Sequence, residues 1–198
     1  MTRLLLAIVC AALLGGCAAT KTPANTLYDF GPASAAQGAA STRGTLVVTD
    51  ATGSPALDSE RMFYRLNYAD PLQARSYANS RWSTSPLQML TQRLKTRIAQ
   101  SGAKVLGVTD AAAGLPILRV DVDDFVHSFD SAASSYGQLV LRASLFQGHT
   151  LVDQKNFSRK VAAVSADAAG GTRAMAEASD AVAADIVAWL ASLPASGQ

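Results

Sequence analysis

Leu118-Arg119-Val120-Asp121-Val122-Asp123-Asp124-Phe125-Val126-His127-Ser128-Phe129 carries the clearest strand signal in the chain. Leu118, Val120 and Val122 alternate with Arg119, Asp121 and Asp123, the period of two that gives a strand one buried and one wet face. The phase then shifts, because Phe125, His127 and Phe129 occupy the opposite parity. A bulge near Asp123-Asp124 is predicted, since one extra residue returns the apolar groups to the same side. Leu139, Leu141, Ala143 and Leu145 repeat the alternation, and Gln147-Gly148-His149-Thr150 turns the chain into a further run from Leu151 to Val161. These three runs predict a long antiparallel meander.

Upstream, Thr45–Thr49 is rich in β-branched residues and reads as a strand, and Gly53-Ser54-Pro55 turns the chain into a second strand at Arg61–Leu66. From Asn67 to Arg81 we expect a turn at Ala69-Asp70-Pro71 and another extended piece. Ser85 with Gln88 three residues on, and Pro86 at the first helical position, opens a helix. Leu87, Leu90, Leu94 and Ile98 form its apolar face, Gln92, Arg93, Lys95 and Arg97 are expected to be mostly solvated, and Gly102 ends it before a short strand at Lys104–Val108. A last helix is expected over Thr172–Leu193, with Met175, Val182, Ile186, Trp189, Leu190 and Leu193 facing the core and Pro194 as the stop. The reading is α+β: a mostly antiparallel, mixed sheet with two main helices packed against it, as one globular domain over residues 45–194.

Ahead of that domain, Arg3 precedes an apolar run, Leu4–Leu14, that ends in Leu14-Gly15-Gly16-Cys17. A basic start, a core of about 7 to 15 apolar residues and small residues at the cut define a secretory signal. A cysteine at the first mature position makes it a lipobox, so residues 1–16 are expected to be removed. Cys17 would then carry a diacylglyceryl group on its thiol and an acyl chain, such as palmitate, on its amino group. A transmembrane helix needs about 20 apolar residues, and this run is broken by Gly15, Gly16, Thr20 and Lys21. Residues 17–44 are dominated by Ala, Thr, Ser, Gly and Pro and read as a flexible tether, apart from Leu27-Tyr28-Asp29-Phe30, whose alternation allows one short strand. Cys10 lies in the signal, which leaves Cys17 as the only mature cysteine and no intramolecular disulfide. The 17 basic and 15 acidic residues are scattered, for a net charge of +2, and give no electrostatic footprint for nucleic acid.

Candidate chemistry is sparse. Asp121, Asp123, Asp124, His127 and Asp130 cluster in sequence, and plain alternation puts Asp121, Asp123 and His127 nominally on one face. Read structurally, they are the wet face of a strand, and His149, the only other histidine, falls in a turn, so no metal set is expected. There is no Gly-x-Ser-x-Gly elbow, and Gly170-Gly171-Thr172 lacks the P-loop lysine and spacing. We therefore expect neither catalysis nor a cofactor beyond the acyl groups on Cys17.

The order of motifs is itself informative: a lipobox, Tyr28 to Phe30, Leu57-Asp58 through Phe63-Tyr64-Arg65, Arg81-Trp82, Ser85-Pro86 opening a Leu-rich helix, Leu118 to Phe125, and a closing helix at Trp189-Leu190. It resembles the ABC-type transport auxiliary lipoproteins, the family that includes the PqiC-like lipoproteins, over Leu27 to Leu193. The Ala- and Gly-rich passage between Phe30 and Thr45 is a departure from a direct run into the second strand. The resemblance implies a non-catalytic outer-membrane lipoprotein facing the periplasm, serving an MCE-domain protein and a permease in lipid transport between membranes and so in membrane integrity. Ala18, where an aspartate commonly signals inner-membrane retention, agrees with that location. A homo-oligomer is compatible with it. Other roles open to a tethered domain are regulation of cell-wall synthesis, direct lipid carriage and, last, envelope hydrolysis. Aromatics and arginine concentrate binding energy, so Tyr64, Tyr68, Tyr77, Arg81 and Trp82 are the expected partner contacts.

Overall fold

The computed structural model describes residues 25–33, 44–110 and 113–193. The expected signal, Cys17 and Pro194 lie outside the described residues. In chain order the elements are β1 (Thr26–Tyr28), β2 (Thr45–Val48), β3 (Thr52–Gly53), a 3-10 turn (Pro55–Asp58), β4 (Arg61–Leu66), β5 (Asp70–Trp82), α1 (Pro86–Gln100), β6 (Lys104–Leu106), a second 3-10 turn (Val108–Asp110), β7 (Pro116–Phe129), β8 (Ser135–Gln147), β9 (Thr150–Ala162) and α2 (Ala168–Ser192). The α+β reading holds: nine strands form one mixed sheet, joined by two long helices.

β7 is the axis. Along one edge it pairs antiparallel with β8 from Pro116↔Gln147 to Phe129↔Ser135, and β8 pairs in turn with β9, which completes the expected meander. Its other edge is shared by three short parallel partners: β2 at Ile117–Leu118, β3 at Asp121–Val122 and β4 at His127–Phe129. Beyond them, β6 extends the sheet from β2, and β5 and then β1 extend it from β4. Val122 faces Leu141 and Asp124 faces Val140, so Asp123 is the extra, bulged residue. That single insertion keeps Phe125 opposite Leu139 and His127 opposite Gly137, on the face that packs against α2.

The core fills the space between this face and the helices, from Val48, Leu118, Leu141 and Leu145 on the sheet to Leu90, Ile98, Met175, Val182 and Ile186 on the helices. α1 starts as its capping residues dictate, with the Ser85 hydroxyl accepting from the Gln88 N–H and Pro86 in the first turn. The expectation of a solvated Arg93 and Arg97 fails. Arg93 is only 5% exposed, donates to the Phe30 and Gly31 carbonyls and lies 3.5 Å from Asp180, while Arg97 pairs with Asp180 at 2.6 Å. α2 lies along that side of α1 and supplies the carboxylate that pairs with both guanidinium groups there; hydrogen bonding to Asp180 raises the Arg97 pKa.

α2 begins four residues before the expected Thr172, because the Asp167 carboxylate caps the Gly170 N–H at 2.7 Å. Its alanines, with Ala174, Ala178 and Ala183 nearly inaccessible, let the helix lie close on β8 and β9. Trp189 anchors the far end, edge-on to Phe157 at 5.8 Å and donating to Asp153 at 2.8 Å. The short strand allowed within Leu27–Phe30 forms as β1, parallel to β5. Phe30 follows it into an aromatic cluster with Trp82 and Phe125, at centroid separations of 5.9 and 5.8 Å. Among the described residues no helix is long and apolar enough to cross a membrane.

Candidate functional site

β4 and β5 form a hairpin of unequal strands. Two register shifts, between Arg61 and Phe63 and between Arg65 and Leu66, leave β5 with extra residues that β4 does not oppose. β5 is accordingly exposed from Asp70 to Ser76 and sinks into the molecule only at Trp82. Bulged, wet strands of this kind resist edge-to-edge pairing, so the hairpin is an arm that ends in a tip at Asn67–Leu72. There Tyr68 is 53% and Leu72 93% exposed.

Just below the tip, side chains from β4, β5 and β7 close over a histidine. Tyr64 meets Tyr77 at 4.7 Å and Phe129 at 5.8 Å, and His127 lies 4.4 Å from Phe129. The Tyr77 hydroxyl bonds His127 Nδ1 at 2.8 Å, while Nε2 is buried with no partner among the described residues. Burial lowers the imidazole pKa to about 4, against a weaker opposing pull from Asp167, and burial also raises that of the Tyr77 phenol. The pair is therefore neutral across the physiological range, joined by a hydrogen bond between uncharged groups. Two glycines allow it. A Cβ on Gly171 would run into the His127 ring, and one on Gly137 would lie 2.5 Å from the Met175 backbone nitrogen. The first turns of α2 thus rest directly on the sheet.

The bulge separates the carboxylates from this histidine, which corrects the nominal placement of Asp121, Asp123 and His127 on one face. Asp121 projects from the other side of β7, where it receives the Thr52 hydroxyl and lies 3.7 Å from Arg142. Asp124 accepts both a 3.0 Å bond from Arg65 and one from Gln138. Asp123 and Asp130 are exposed. Among the described residues no three His, Cys, Asp or Glu side chains converge as metal ligands.

The five expected contact residues occupy different layers. Trp82 is 1% exposed and belongs to the core, and Tyr64 and Tyr77 are half-buried around His127. Tyr68 stands at the tip. Arg81 lies on the sheet face opposite the helices, directly across from Arg61, and like charges in that position are destabilising. Leu72, at the start of β5, is the exposed apolar residue that sequence reasoning missed; its signal was an apolar side chain immediately after Asp70-Pro71. A groove of about 980 Å³ lies between α1, the first 3-10 turn and Phe30. Its walls are mixed, with Asp50, Thr52, Gln88 and Arg93 beside Phe30, Pro55, Leu87 and Met89.

Residues 26–187 match the family described as ABC-type transport auxiliary lipoprotein component. Among solved structures, a Xanthomonas campestris protein is similar with a TM-score of 0.73 at 20% identity, covering 84% of this chain and 95% of its own. An uncharacterised protein follows with a TM-score of 0.66 at 16% identity, covering 84% of this chain and 99% of its own. A hypothetical protein from Chlamydia trachomatis gives 0.53 at 9% identity, covering 77% and 98%. At these identities the likeness is one of fold. No curated protein matches the sequence.

Proposed function

The chain belongs to the ABC-type transport auxiliary lipoproteins, and from that membership we propose that it is a non-catalytic interaction subunit, anchored in the outer membrane through Cys17, that presents its domain to an MCE-domain protein in lipid transport between membranes. The observation that carries the reading is the family match, which takes in the whole sheet and nearly all of α2. Two structural features agree with it. The buried histidine is held in a neutral pair, and Asp124 and Asp121 are paired with Arg65 and Arg142. Binding rather than chemistry is what this surface offers.

Arg61 and Arg81 supply the testable surface. Opposed arginines without an anion cost the fold something, and a partner's carboxylates would convert that cost into affinity. Affinity capture from solubilised envelopes is expected to recover an MCE-domain protein, and Arg81→Gln to weaken that recovery severalfold while leaving thermal stability unchanged or slightly raised. Repeated capture without any MCE-domain protein would sink the reading.

A further inference from the structure

The direction in which the chain enters the sheet orients the molecule. β1 runs parallel to β5, with Thr26 beside Ser80 and Tyr28 beside Trp82. β5 starts at the hairpin tip, so the polypeptide enters β1 from the tip's side. Only eight residues, Ala18 to Asn25, separate Cys17 from Thr26, and eight residues span at most about 28 Å when fully extended. The tip is close by comparison. Arg61 lies opposite Arg81 and Leu66 closes the strand, so the arm rises about 17 Å at roughly 3.3 Å per residue.

Exposed apolar side chains mark both ends of the sheet, with Leu151 and Val152 at 47% and 37% beside the β8–β9 turn and more fully exposed ones at this end. Tyr68 and Leu72 crown the hairpin, and Val164, 79% exposed, follows β9 where Ala162 pairs with Tyr136. Asn67 donates to the Tyr136 hydroxyl at 3.0 Å, and the Lys160 ammonium sits 4.7 Å over the Tyr136 ring, so the tip is braced against the body. Asp70, the acidic residue at the tip, is engaged locally by the Leu72 N–H at 2.9 Å. Tyrosine and leucine flanked by a lysine able to extend toward headgroups is the side-chain chemistry of a membrane–water interface.

We propose that the β4–β5 tip, through Tyr68 and Leu72, rests in the interface of the same membrane that holds the acylated Cys17. The contact is a lipid surface, because the anchor's short reach holds that surface against this end of the molecule. The β8–β9 turn at Gly148-His149, at the opposite end of β7, is thereby presented away from the membrane. The proposal rests on acylation of Cys17.

The test uses the full-length acylated protein, purified from envelopes and reconstituted in vesicles of phosphatidylethanolamine and phosphatidylglycerol that carry a headgroup-proximal nitroxide lipid. Acylation consumes the Cys17 thiol and Cys10 leaves with the signal, so Leu72→Cys and His149→Cys each introduce the only free thiol for an environment-sensitive fluorophore. A blue-shifted emission and severalfold stronger quenching at position 72 than at 149 is the expected result. Equal, weak quenching at both sites in protein whose N-terminal peptide carries the acyl mass overturns the tip contact and leaves the anchor intact. Protection of position 72 only when a partner protein is added overturns it in favour of a protein occupant. An unmodified Cys17 overturns both.

Discussion

At the residue scale, His127 shows how one buried side chain sets a pH limit. Its ring is 0% exposed and its pKa is held near 4 against an ordinary 6.5. In the unfolded chain the ring takes up a proton as pH falls through 6.5, while in the fold it stays neutral until about 4. The unfolded state therefore binds more protons throughout that window, and stability falls as the medium is acidified. The full gap corresponds to roughly 3 kcal/mol at 1.36 kcal/mol per unit, of which about 2 kcal/mol is lost by pH 5. Urea unfolding at pH 7 and pH 5 is expected to show that loss in the parent protein, and His127→Leu to remove most of it. An unchanged pH dependence in the variant would mean that the ring already ionises in the fold. Nothing in the sequence beyond the parity of Phe125, His127 and Phe129 pointed to this burial, and the Tyr77 partner lies 50 residues away.

At the element scale, the docking of α2 on β7 and β8 depends on two missing methyl groups. Gly171→Ala should strengthen the isolated helix by about 1 kcal/mol, yet its Cβ would overlap the buried His127 ring. Overpacking costs typically 1–3 kcal/mol, so clash outweighs propensity and the net effect is destabilising. Gly137→Ala meets backbone atoms of Ala174 and Met175, which no rotamer change relieves, and should cost more, about 3 kcal/mol. Denaturant midpoints check both the sign and the order; a stabilised Gly171→Ala would show that the helix terminus can lift. These same elements mark what was legible in the sequence. The β7 bulge, the Ser85 cap and the meander could be read because each is a local pattern of period, capping residue or turn. The burial of Arg93 could not be, since it depends on Asp180 and on the carbonyls of Phe30 and Gly31 arriving from elsewhere in the chain. The parallel pairing of β2, β3 and β4 along β7 was equally hidden, because alternation fixes a strand's faces and says nothing of its neighbours. Of the expected contact residues, Trp82 looked like surface chemistry because an aromatic beside an arginine fits a binding patch and a core strand alike.

At the scale of the whole molecule, the position of β1 decides how freely the domain would move on the proposed Cys17 anchor. Counting from the composition alone, a tether of about 27 residues up to Gly44 would behave as a coil of roughly 30 Å. β1 and the Phe30 cluster fasten the chain to the body from Thr26 onward, so only the eight residues Ala18–Asn25 lie between Cys17 and the sheet. Lengthening that segment separates two explanations of tip contact. If the short tether holds the tip at the surface, the effective concentration of tip at membrane falls as about the −3/2 power of tether length. Inserting 20 Gly/Ser residues between Thr20 and Asn25 would then lower it roughly sixfold. Quenching of a fluorophore at position 72 should fall toward that at position 149, with the acyl mass on Cys17 and the thermal unfolding transition unchanged. Quenching that survives the insertion would instead assign the contact to intrinsic affinity of Tyr68 and Leu72 for the interface, strong enough to hold without help from the anchor. In either case the β8–β9 end is left facing away from the lipid, and the reach of that end toward a partner is set by the length of β7, about 46 Å for its 14 residues.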